Sequence, residues 1–68
     1  MNMHPVSSSN LQSVGCSEGV LRIRFNSGGT YQYLGVPEGV FRGLMTAQSH
    51  GRFFHANIKG CYPYSKIG

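Results

Sequence analysis

The sequence predicts a small α+β domain, an antiparallel three-stranded meander followed by two short helices packed on one face. Three observations carry that expectation. A chain of 68 residues has room for one domain and a thin core. The run Val20–Phe25 alternates, with Leu21, Ile23 and Phe25 on one side and Val20, Arg22 and Arg24 on the other. After Gly35 the punctuation changes to helix starts and stops, with Val36-Pro37-Glu38, Ser49 and Gly60 in turn.

The elements follow in order. Residues 1–5 are read as a flexible tail, and the serine run after Pro5 has no periodicity, although its end is placed to order as an edge strand. Leu11–Ser17 is a weak strand, closed by a turn at Glu18-Gly19. Val20–Phe25 is the clearest strand, with one core face and one basic face. The loop Asn26-Ser27-Gly28-Gly29 suits a hairpin, since Asn and Gly accept the positive φ of tight turns, and Thr30–Leu34 returns beside it.

The parity of that loop decides where Tyr31 and Tyr33 point. An even loop sets Arg24 across from Tyr31 and Arg22 across from Tyr33, so that rings and guanidinium groups share a face. A three-residue loop with a glycine bulge sets Ile23 opposite Tyr31 and Leu21 opposite Tyr33, so that both rings lie over the core. Both registers are open at this level.

Pro37 in a first turn loses no needed hydrogen bond, and Glu38 suits the positive end of the helix dipole. Val40, Phe41, Leu44 and Ala47 then make one apolar stripe. Gly39 and Gly43 weaken such a helix by about 1 kcal/mol each against alanine, so close packing on the sheet is the expected reason for them. Ser49 caps a second helix over residues 50–59 that carries Phe53, Phe54 and Ile58, and Gly60 ends it. Pro63 keeps the remainder extended.

Arg22, Arg24, Arg42, Arg52, Lys59 and Lys66 face only Glu18 and Glu38, for a formal charge of +4. That balance favours anionic partners. No apolar run approaches the roughly 20 residues of a membrane helix, and Cys16 and Cys61 lack the spacing of a redox or zinc pair. The expectation is a cytoplasmic protein with reduced thiols and no membrane contact.

Catalysis is not expected. Glu18 and Glu38 show no pairing, and no Asp exists to orient a histidine beside Cys16 or Cys61. His50 and His55 are spaced to diverge on a helix, so neither metal nor cofactor is expected.

Binding is the better reading. Exposed rings at Tyr31 and Tyr33 would stack bases while Arg22 and Arg24 hold phosphates. The competing role for those rings is cross-strand packing. The segment Ser49, His50, Gly51 and Arg52 offers a helix N-terminus and polar donors for an anion, although it lacks the spacing of a phosphate-binding loop, and its plainer role is an ordinary serine cap. Asn57 and Lys59 extend a basic rim along the second helix.

Taken together, Ser8-Ser9, Leu21, Ile23 and Phe25, the Tyr31-Gln32-Tyr33 triplet, Val36-Pro37, the Ala47-Ser49-Gly51 spacing, Phe54, Ile58 and Tyr62 resemble the KTSC domain. That family is named for its occurrence at the C-terminus of some lysyl-tRNA synthetases and otherwise occurs mostly as small stand-alone bacterial and phage proteins. Cys16 departs from the pattern, which has an aromatic or acidic residue after the glycine. The resemblance implies the α+β fold and RNA binding.

The function expected is therefore a small non-catalytic module for RNA or a nucleotide-like anion. The alternative is a protein-interaction module, such as a phage-encoded inhibitor of a host system, acting on one protein partner. A homo-oligomer that sequesters a nucleotide signal lies between the two.

Overall fold

The computed structural model describes all residues from Met1 to Gly68. Strands β1 (His4–Pro5), β2 (Leu11–Ser17), β3 (Val20–Phe25) and β4 (Thr30–Leu34) lead into helices α1 (Glu38–Thr46) and α2 (His50–Asn57), and β5 (Tyr64–Lys66) closes the chain. All pairings are antiparallel, in the order β1-β2-β3-β4-β5. The sheet thus has five strands rather than the three expected. The two added strands, of 2 and 3 residues, are too short to show alternation, and each is defined only by its pairing, β1 with the next strand and β5 with a strand about 30 residues earlier.

Two turns set the register of the centre. Glu18 and Gly19 both take positive φ (52° and 78°) in a two-residue hairpin that pairs Ser17 with Val20. Between β3 and β4 the Phe25 N–H donates to the Gly29 carbonyl (2.9 Å), and the Phe25 carbonyl accepts from Gly28 N–H (2.9 Å). The loop is therefore Asn26-Ser27-Gly28, with Gly28 at φ 106°. Odd parity follows, and Leu21 pairs with Tyr33, Ile23 with Tyr31, and Arg22 with Gln32.

A bulge corrects β2. Leu11 pairs with Phe25 but Ser13 pairs with Arg24, so Gln12 is the extra residue. Without that insertion Gln12 would turn toward the core and Leu11 away from it, because side chains alternate along a strand. With it, Leu11 joins Val14, Leu21 and Ile23 at full burial.

The helices cover this face. Leu44 from α1, Phe54 from α2, and Ile58 just beyond α2 complete the core with Val36 and Tyr33. Each fully buried aliphatic side chain contributes about 1.5–3 kcal/mol, a large share of what so small a domain has. Pro37 stands at the N-cap of α1, one position before the first turn expected for it. Ser49 caps α2, its hydroxyl accepting from Arg52 N–H at 3.2 Å. The Arg42–Glu38 pair on α1 (3.2 Å) is solvent-exposed and adds little.

The helix glycines are not packed on the sheet as expected. A Cβ on Gly43 would lie 2.7 Å from Cζ of Phe53, so this glycine lets α1 and α2 approach each other. Gly39 has open space around it.

The N-terminal segment, read as a tail, lies on the sheet. His4-Pro5 pairs with β2, and a Cβ on Gly15 would come 2.6 Å from the Asn2 carbonyl oxygen and 2.8 Å from the Met3 sulfur. Residues 1–3 thus cover part of the face that the helices leave open.

Two outcomes test this packing. Gly39→Ala adds helix propensity without contact and should stabilise by about 0.5–1 kcal/mol, whereas Gly43→Ala displaces the Phe53 ring and should lower the melting temperature. Thermal unfolding of the two variants checks the contrast. Burial pushes the Tyr33 hydroxyl up to about 12, and the neighbouring Tyr31 and Tyr64 phenols add to the shift. Its unfolded value is 10, so the folded state holds its proton longer and this contribution is intact below pH 10. As pH rises toward 12 it is lost, and ultraviolet titration should show a late ionisation that Tyr33→Phe removes.

An aromatic cleft as the candidate functional site

The odd register brings Tyr31 and Tyr33 to the helix-bearing face, and β5 adds a third ring. Tyr33 pairs with Tyr64 and Tyr31 with Lys66, so all four side chains share that face. Hydrogen bonds from Leu34 N–H to the Pro63 carbonyl (2.9 Å) and from Thr30 N–H to the Gly68 carbonyl (3.1 Å) hold β5 in place. The rings form one continuous cluster. Tyr33 meets Phe54 edge-to-face at 5.5 Å, Phe25 meets Tyr31 at 5.6 Å and Phe54 at 5.4 Å, and Tyr64 lies 6.0 Å from Tyr31 and 5.7 Å from Tyr33.

These rings line an open cleft of about 450 Å³ between β4, β5 and α2. Its polar lining comes from His55, Lys59, Asn10 and Ser27. The rings differ in what they offer. Tyr33 is 5% exposed and belongs to the core, Tyr31 is half-buried, and Tyr64 is 63% exposed. Tyr64 therefore presents a ring to solvent while its neighbours hold that ring in place.

Asn10 reaches the cleft through local hydrogen bonding. The Ser8 hydroxyl accepts from the N–H groups of Asn10 and Leu11, both at 3.2 Å, and so fixes a turn before β2. The Asn10 carbonyl then accepts from Asn26 N–H at 2.8 Å, and the Asn26 side chain donates to the Ser8 carbonyl at 2.9 Å. Asn10 also packs on α2, because a Cβ on Gly51 would sit 2.8 Å from its Nδ2.

Of the residues singled out from sequence, Tyr31, Tyr33 and Lys59 line the cleft. Arg22 and Arg24 pair with Gln32 and Thr30 and lie on the opposite face of the sheet. With its amide turned to satisfy its neighbours, the Gln32 oxygen accepts from Arg22 Nη2 at 2.6 Å and Nε at 3.2 Å. A ligand on the rings thus cannot lie on the two arginines as well, and the continuous basic and aromatic face allowed by an even loop does not form.

The Ser49–Arg52 segment stands apart from the rings. Ser49 is occupied as a cap, His50 Nδ1 is 2.7 Å from the Leu44 carbonyl, and the Asn10 amide rather than open space lies against Gly51. Arg52 is exposed. Asn57 donates to the Phe53 carbonyl of its own helix at 3.2 Å and does not line the cleft.

Asn10, Phe25, Ser27, Phe54, His55, Gly60 and Tyr64 also line the cleft and were not among the residues expected from sequence. The one available signal was the spacing of Tyr62, Tyr64 and Lys66 around Pro63, a strand-like alternation in a segment read only as extended.

Charge is unevenly placed around this site. Glu18 lies in the β2–β3 turn and Glu38 starts α1, and the bond from Val36 N–H to the Gly19 carbonyl (2.9 Å) draws these two loops together. Neither glutamate lines the cleft, which runs from Phe25 and Ser27 to Tyr33, the partner of Leu21. Lys59 is in its wall, and Lys66 lies beside Tyr31, its Cε 3.7 Å from the position of a Cβ on Gly29.

No hydrogen bond joins a histidine to a serine or cysteine, His50 being engaged with a backbone carbonyl. Burial, and secondarily Glu38, pushes the Cys16 thiol up and so disfavours its thiolate. Nowhere do three His, Cys, Asp or Glu side chains converge as a metal site would require. No helix is long and apolar enough to cross a membrane.

Comparison with known proteins agrees with this architecture. The family model for the KTSC domain matches residues 7–62. A protein of Tsukamurella paurometabola is 42% identical over 59 residues, covering 84% of this chain and 88% of the relative. The lysine–tRNA ligase of Trichormus variabilis is 40% identical over 47 residues, which are 69% of this chain but 8% of the ligase. The crystal structure of a KTSC domain protein from Yersinia pestis superposes with a TM-score of 0.95 at 48% identity, over 98% of this chain and 97% of that one. Fold and sequence thus agree along nearly the whole length, and the chain belongs to the KTSC domain family.

Proposed function

We propose that this protein is a small non-catalytic binding module for RNA or a nucleotide-like anion, with the ligand seated in the aromatic cleft. One observation carries the reading. A solvent-facing ring, Tyr64, is braced by Tyr31 and Tyr33 in a cleft whose charged residue is Lys59, while neither glutamate lines it. Stacking a base on an exposed ring contributes about 1–3 kcal/mol, and a nearby ammonium adds a phosphate contact. The formal charge of +4 draws anions to the molecule, and the placement of Glu18 and Glu38 leaves the cleft free of a repelling carboxylate.

The match to part of lysine–tRNA ligases lends an RNA context, although that name describes enzymes of which this chain spans 8%. The cytoplasm is the setting that suits such a ligand and the two free thiols.

The test is an amide NMR titration of the ¹⁵N-labelled protein with short single-stranded RNA at low and moderate salt. Shifts should gather on Tyr31, Phe54, His55, Lys59 and Tyr64 and shrink as salt rises. Lys59→Ala should weaken binding several-fold more than Arg24→Ala, because Arg24 projects from the other face of the sheet. Absence of shifts at low salt would overturn the reading in favour of the protein-interaction module, with the exposed β5 edge as its first candidate surface. Shifts confined to Arg22 and Arg24 would move the site to the open face.

A further inference from the structure

We infer that the cleft takes one unpaired nucleotide unit, its base on the ring of Tyr64 and its phosphate held by Lys59. The inference rests on the binding reading above and narrows it to a ligand class. A free nucleoside monophosphate and a single unstacked residue of RNA share that chemistry, and a duplex lacks it.

Size is the first argument. The cleft, at about 450 Å³, falls in the lower part of the roughly 300–1,000 Å³ range of sites that enclose one small organic molecule. Proteins that follow a single strand over several nucleotides present successive exposed rings along a groove. Here the exposed ring is Tyr64 alone, since Tyr31 is half-buried and Tyr33 is 5% exposed.

Charge placement is the second. Lys59 follows α2 and lines the cleft, whereas Lys66 ends β5 and is not among the lining residues. Lys66 pairs opposite Tyr31 and shares the face of the rings. One lining ammonium beside one exposed ring suits one phosphate beside one base. The Asn10 amide and the Ser27 hydroxyl line the same space, and both group types can donate and accept hydrogen bonds with a base edge.

Shape is the third. In an A-form duplex the base faces are stacked and the recognisable features are spread across a wide, shallow groove. A concave aromatic site reaches none of those faces unless a nucleotide leaves the stack.

The test uses the full chain with six probes: uridine and adenosine monophosphates, adenosine, inorganic phosphate, single-stranded oligouridylate, and a blunt RNA duplex. The monophosphates should shift the same amides as the oligonucleotide and displace it competitively. Adenosine and phosphate should each bind at least about tenfold more weakly than the monophosphates, and the duplex should not compete. Tyr64→Ala should weaken monophosphate binding by roughly 5- to 150-fold, the equivalent of one stacked base. Tyr64→Phe, which keeps the ring and guards against a folding defect, should bind as the parent does. If the oligonucleotide binds while millimolar monophosphate fails to displace it, the single-unit inference falls and the RNA-binding reading stands. A duplex that binds as tightly as the single strand overturns the inference in the same way. If no probe binds, the broader reading falls with it.

Discussion

The Phe25–Gly29 hydrogen bond closes a turn of three residues, and Gly28 at φ 106° makes that turn feasible. One residue more or fewer in the loop would rotate β4 by a full face, carrying Tyr31 and Tyr33 to the arginine side and Gln32 into the core. Because Tyr33 fills the core beside Leu21 and Phe54, the hydrophobic effect and the turn geometry enforce the same register. The cleft follows from that agreement. Tyr31 and Tyr33 on the helix side give β5 its partners, β5 brings Tyr64 against them, and the three rings then face Phe54 and the end of α2.

A second correction of parity lies in β2. The bulge at Gln12 returns Leu11 to the core, and just ahead of it Ser8 fixes a turn that sets Asn10 against both Gly51 and the cleft. This accounts physically for residues that otherwise read as low-information sequence. Ser8 ties the entry to β2 to the β3–β4 loop, and Gly51 makes room for Asn10 rather than for a ligand. In the folded chain Ser49 caps α2 and Gly51 packs against Asn10, beside the cleft.

The net charge of +4 acquires meaning only through position. Along the chain the basic residues look evenly scattered. In the fold, Arg22 and Arg24 take one face of the sheet, Lys59 and Lys66 the other, and both glutamates gather where the β2–β3 turn meets the start of α1. Two separated cationic surfaces result, of which the one with the aromatic cluster also has a concave shape. The other carries an Arg22–Gln32 pair and residues 1–3 packed at Gly15.

By itself the sequence determined the alternation of β3, the turn at Glu18-Gly19, the Ser49 cap and the Gly60 exit, because each depends on neighbours within a few residues: strand period, positive φ, a hydroxyl near free N–H groups. The family was legible because its pattern is written in residue identities and spacing along the chain, Tyr31-Gln32-Tyr33, Val36-Pro37 and Gly51 among them. Only the tertiary structure decided the faces of Tyr31 and Tyr33, the existence of β1 and β5, and the partner of Gly43, which is Phe53 and not the sheet. Strands of 2 and 3 residues have no signature of their own. The cleft belongs to the same class: Asn10, Phe25, Phe54 and Tyr64 come from four separate segments, and only closure of β5 on β4 and docking of α2 over the sheet make them neighbours.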